Sequence, residues 1–158
     1  MSTALCDLPA HEIAGRVRRR EISAAEVLDS VLERIRRVEG ALGSEGPPAP
    51  DPAEDRRVHA FISVTEPEAR RQAAQVDSAV GRGEDPGPLA GVPLAVKDIF
   101  CVRGTRSTAG SRILAGYVAP YTATPVERLL GAGAVLVGKV NLDEFTFGSS
   151  NESSAFRP

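Results

Sequence analysis

Two short apolar runs constrain this chain most. VPLAV (92–96) and AVLVG (134–138) are each of strand length. Between them lies Thr124-Pro125-Val126-Glu127, a helix start with proline in the first turn. Strand, crossover helix, strand is the signature of an α/β sheet. A third run, HAFISV (59–64), alternates and is β-branched enough for another strand. Together the three hold 16 of 158 residues. That is about a tenth, against the usual ~20–25%, and a sheet so small leaves an edge open. The expectation is the N-terminal part of a larger α/β protein, truncated at Pro158.

Helical periodicity fills much of the remainder. Residues 7–20 carry Ile13 and Val17 at helical spacing, with Asp7 as the expected cap. Ser23-Ala24-Ala25-Glu26 has the form of a capping box. Val27, Leu28, Val31, Leu32, Ile35 and Val38 continue from it as one apolar stripe. Residues 7–38 therefore read as a helical hairpin. Residues 40–57 hold four prolines and no apolar period, which predicts a mobile loop. A third helix follows Thr65, with Ala69, Ala73, Val76 and Val80 as its apolar face. Residues 59–158 form the start of the α/β core, with a polar glycine loop at 103–111 and a last short helix at 141–147.

Net charge is −2, which offers no basic field for direct nucleic-acid binding. Cys6 and Cys101 show no metal-ligand spacing and fit a reducing compartment. The N-terminus lacks the pattern of a signal peptide, and no apolar run approaches the ~18 residues of a membrane span. A cytoplasmic, membrane-free protein is expected.

Of 19 basic residues only Lys97 and Lys139 are lysines, so each asks for a local reason. In PLAGVPLAVKDIF (88–100) an apolar strand delivers Lys97 into a polar segment. Partial burial there would lower its pKa and make a base usable near neutrality. The competing reading is a lysine that snorkels at a strand end. Asp98 follows, but neighbours on an extended chain point to opposite faces, so a Lys97–Asp98 pair is not assured. Gly133 to Lys139 fits G-x-x-x-x-G-K, yet its middle residues are the strand AVLV and Val140 stands where Ser or Thr is needed. A phosphate loop is therefore rejected. GSSNESS (148–154) offers hydroxyls and amides to a substrate, although its composition equally suits a solvated connector. His11 and His59 have no partners at ligand spacing.

In order, PLAGVPLAVKDIF, GTRSTAGS (104–111), YVAPYTATPVERLLGAGAVLVGKVNLDEF (117–145) and FGSSNESSAF (147–156) resemble the amidase-signature family. The resemblance is strongest to its branch of glutamine-hydrolysing subunits in tRNA amidotransferases. It implies the N-terminal portion of an amidase-signature fold, a mixed sheet covered by helices. It also implies a Lys–cis-Ser–Ser triad, in which Lys97 matches the family lysine and acts as general base. Both serines belong to glycine-serine motifs beyond Pro158, so Ser149 and Ser150 do not fill those roles, and residues 1–158 alone are expected to be inactive. Phe147, Gly148 and Ser149 are the implied substrate-binding residues.

The implied reaction releases ammonia from glutamine for transamidation of misacylated Glu-tRNA(Gln) or Asp-tRNA(Asn). The implied partners, in a heterotrimer, are one tRNA-binding subunit plus one small third subunit. ATP and magnesium go to the tRNA-binding partner, and no cofactor or metal binds this chain. Alternatives are a hydrolase of another small amide, or an inactive interaction module. Lys139, taken as merely following a structural strand, is expected to matter little to activity.

Overall fold

The computed structural model describes residues 3–39 and 58–156. The proline-rich loop expected at 40–57 lies outside the described residues.

Three strands form one mixed sheet: β1 (Phe61–Val64), β2 (Pro93–Lys97) and β3 (Val135–Val140). Their order is β1-β3-β2, with β1 antiparallel and β2 parallel to the central β3. The expected strand–helix–strand unit is present. Helix α4 (Thr124–Gly131) lies between β2 and β3 in the chain, with proline in its first turn. β3 is apolar throughout its first half because it is covered on both faces. Val135 and Val137 join the core made with the first three helices, whereas Leu136 packs with Val96, Val102 and Val126.

The first three helices are α1 (Ala10–Arg18), α2 (Ala24–Glu39) and α3 (Glu66–Arg82). Leu28 and Leu32 of α2 are fully buried. Each such burial contributes about 1.5–3 kcal/mol. The Ser23 capping box forms as read: the Glu26 amide donates to Ser23 Oγ at 3.1 Å, and the Ser23 amide donates to Glu26 Oε2 at 2.8 Å. Asp77 of α3 adds a second cap, accepting the Ala24 and Ala25 amides at 2.7 and 3.1 Å. That tie holds α2 mainly against α3. Ala69, Ala73 and Val76 form the buried face expected of α3, with Val80 partly buried.

Two local expectations change, the Asp7 cap and the helix at 141–147. Asp7 does not cap α1; its carboxylate takes Arg34 of α2 at 3.0 Å, and α1 starts after Pro9. The third helix does follow Thr65, whose hydroxyl donates to the Leu136 carbonyl at 3.0 Å. Residues 141–147 form no α-helix, only a 3₁₀ turn, Glu144–Thr146, with Phe145 at φ 52°. The reason lies in where the amides go: the Phe145 amide donates to Ala109 O at 2.8 Å, outside its own segment.

The two glycines of the rejected phosphate-loop pattern have structural causes. A side chain at Gly138 would stand 2.5 Å from Ser63 O, where β1 crosses β3 at a register irregularity. Gly133 has φ 94°, and a Cβ there would meet Pro86 O at 2.2 Å. Gly133→Ala is expected to destabilise the protein by at least about 1–2 kcal/mol, from the left-handed backbone alone. Chemical denaturation measures this directly. Gly131→Ala, which meets open space, is the control.

Candidate active site

β2 and β3 run parallel and end side by side, with Lys97 paired in register to Val140. Loops leaving the carboxyl ends of parallel strands are where α/β sheets place ligands. Here those loops are 98–111 and 141–156. They are joined by backbone bonds: Phe145 N to Ala109 O, and Ala155 N to Gly110 O at 2.9 Å. Ala109, Phe145 and Thr146 all have positive φ, at 54°, 52° and 63°. Non-glycine residues in this region are strained, and such strain gathers at functional sites.

Lys97 ends β2 with its side chain exposed, on the same side as exposed Ala95, while Val96 and Asp98 turn inward. Among the described residues its side chain forms no hydrogen bond or ion pair. Within these residues Lys97 fits the strand-end reading, and the partial desolvation that the sequence left open is absent there. It is found instead at its neighbour and at the second lysine. Asp98 and Lys139 are 1% and 0% exposed and pair at 2.6 Å.

This buried pair is fully bonded. Lys139 Nζ also donates to Ser107 Oγ at 2.8 Å and to Arg106 O at 3.0 Å. The other Asp98 oxygen accepts the Thr108 amide at 2.7 Å and the Thr108 hydroxyl at 2.6 Å. Lys139 thus reaches across from β3 and fastens the 106–108 loop over the end of β2. The expectation that Lys139 merely follows a strand is corrected: an ammonium with no exposed surface needs such partners to exist there.

GSSNESS is wound around a single carboxylate. Asp143, 5% exposed, accepts the amides of Ser150, Asn151 and Ser153 at 3.0, 2.9 and 3.2 Å, and the Ser153 hydroxyl at 2.8 Å. Gly148 lies against the same carboxyl, where a Cβ would stand 2.6 Å from Asp143 Cγ. Phe147, Gly148 and Ser149 project from this loop into solvent, Phe147 being 92% exposed. They share the sheet end with Lys97, but no hydrogen bond joins them to it.

The Asn151 amide foremost, then the Ser153 hydroxyl, hold the Asp143 carboxyl below the usual aspartate range against the opposing effect of burial. A depressed folded-state pKa means this stabilisation is complete above the unfolded value, about 3.9. It is lost as pH falls through the lower folded value. Pepsin cleavage at exposed Phe147 should therefore rise as pH drops below about 4. In Asp143→Asn that pH dependence should vanish. Identical pH profiles in the two proteins would contradict it.

Cys101, Tyr117 and Tyr121 form a half-exposed group beside these loops. Burial chiefly raises the Tyr117 pKa, and the bond with Cys101 chiefly raises that of Tyr121. Among the described residues no cluster of His, Cys, Asp and Glu could hold a metal ion, and no helix is long and apolar enough to cross a membrane.

The family model described as Amidase matches residues 53–158. The A subunit of glutamyl-tRNA(Gln) amidotransferase from Anaeromyxobacter sp. (strain K) is 46% identical over 154 residues, covering 98% of this chain and 28% of that protein. Its namesake from Salinispora arenicola is 49% identical over 156 residues, covering 99% and 28%. The chain thus spans little more than a quarter of the length of these relatives. A solved structure from a vestigial protein complex, described as revealing the origins of an s-triazine catabolic enzyme, superposes with a TM-score of 0.81 at 32% identity, over 96% of this chain and 30% of that one. Native peptide amidase from Stenotrophomonas maltophilia superposes with a TM-score of 0.73 at 30% identity, over 88% and 26%. A strand that ends in Lys97, a glycine-bearing loop bound to it and a family model spanning both make this chain a member of the amidase-signature family.

Proposed function

We propose that this chain supplies the base-bearing part of a glutamine amidohydrolase, the ammonia-producing subunit of a tRNA amidotransferase. The observation that carries the reading is the 44–49% identity, across nearly the whole chain, to subunits of that name. Lys97 is the general base, at the family lysine's place. A serine hydroxyl is a weak nucleophile at neutral pH and needs such a base. The neutral amine draws the nucleophile's proton through a bridging serine, and both serines lie in later glycine-serine motifs of the full-length protein. Phe147, Gly148 and Ser149 form one wall of the substrate site. Ammonia passes to a tRNA-binding partner that activates misacylated Glu-tRNA(Gln) or Asp-tRNA(Asn) with ATP and magnesium. A small third subunit completes the assembly. This chain binds no cofactor and makes no tight contact with nucleic acid itself, in keeping with its −2 charge. The work is done in the cytoplasm.

A second reading, hydrolysis of a different amide, has support in the likeness to peptide amidase. Ammonia release by the full-length protein, with and without its partners, separates the two. Glutamine should be turned over, and faster in the complex, while C-terminal peptide amides stay intact. Peptide-amide hydrolysis without glutaminase activity would establish the second reading.

A further inference from the structure

Asp98 is covalently next to Lys97, and a carboxylate near an amine stabilises the ammonium form. A general base must instead give up its proton. The structure resolves this conflict by turning Asp98 inward, where Lys139 takes one carboxylate oxygen and Thr108 the other. Lys139 is fully buried and sits on β3, a strand that pairs in register with β2 to its last residue. Its charge cancels that of Asp98 one residue away from Lys97. Three other charged groups of the surrounding loops have partners of their own, while Arg103 lies exposed and Glu152 takes the Ser150 hydroxyl. The Arg106 guanidinium donates to Ala115 O, Glu144 accepts from Ser111, and Asp143 is enclosed by its own loop.

We propose that Lys139 is a positioning residue that neutralises Asp98 and thereby frees Lys97 to act as a base. The proposal rests on the amidase reading for its purpose, but the charge relation itself does not depend on turnover. Removing Lys139 leaves an uncompensated carboxylate beside Lys97 and raises the amine's pKa. Removing Asp98 leaves an uncompensated ammonium and lowers it. Removing both restores the balance.

The experiment uses the full-length protein as wild type, Lys139→Gln, Asp98→Asn and the double variant. Folding is checked by thermal melting. The Lys97 amine is titrated by competitive acylation with acetic anhydride across pH, read by mass spectrometry of its peptide. The acid limb of glutaminase kcat/KM is measured in parallel. The expected result is a Lys97 midpoint about one pH unit higher in Lys139→Gln, lower in Asp98→Asn, and back near wild type in the double variant. The acid limb of kcat/KM should move with it, which a purely structural role would not produce. If one single variant fails to fold, the other and the double variant carry the test. A wild-type midpoint in a folded single variant overturns the proposal. So does a displaced midpoint in the folded double variant, or failure of all three to fold. Failure of the amidase reading is separate: wild type turns over no amide while the labelling shifts stand.

Discussion

Lys97→Ala in the full-length protein should abolish glutamine hydrolysis while leaving the melting temperature nearly unchanged. The side chain is exposed and unbonded among the described residues, so its removal costs within about 0.5 kcal/mol of stability. The loss of rate should be at least about 10²–10⁴-fold, the usual contribution of a general base. Lys97→Arg should fail almost as badly, because a guanidinium stays protonated and cannot accept a proton. Amidation fed by free ammonia should survive both changes in the assembled complex, since ammonia bypasses the hydrolytic step. Near-normal glutaminase turnover in Lys97→Arg would refute the role of base.

Asp98→Ala should act in the opposite manner, on stability first. It strands the Lys139 ammonium in a place with no exposed surface, its remaining partners, the Ser107 hydroxyl and the Arg106 main-chain carbonyl, being neutral. Breaking a buried pair in this way costs about 3–5 kcal/mol. Asp98→Ala combined with Lys139→Met should recover much of that loss, because no buried charge then remains unpaired. Denaturant unfolding of the four proteins measures the coupling. Additive losses would mean that the two groups do not depend on each other for burial.

These contrasting roles show what the sequence made legible. Both parallel strands and α4 between them were readable because apolar runs, proline and capping residues all pointed the same way. Lys97 was placed at a strand end for the same reason, and the family pattern gave it a role. Its burial stayed open between two readings because a strand has two faces, and nothing local says which face is covered. Lys139 carried a signal that went unused. A lysine inside a strand covered on both faces is buried with it and so requires a carboxylate, and Asp98 follows directly on the neighbouring strand. The 141–147 segment, expected as a short helix, takes its form from Asp143. Its carboxylate collects amides seven to ten residues ahead, a choice visible only once the loop closes on itself.

That closure has a consequence for how such proteins diversify. The form of the 148–154 loop depends on one internal carboxylate, main-chain amides and a glycine without room for a side chain. It depends hardly at all on what Phe147 and Ser149 present outward. If, as proposed, they line the substrate site, substitutions at those two positions alter which amide is accepted while the loop keeps its form. On that reading, selection can retune the substrate wall residue by residue. Change at Asp143 or Gly148 offers no such gradual route, because it disturbs the whole wall at once.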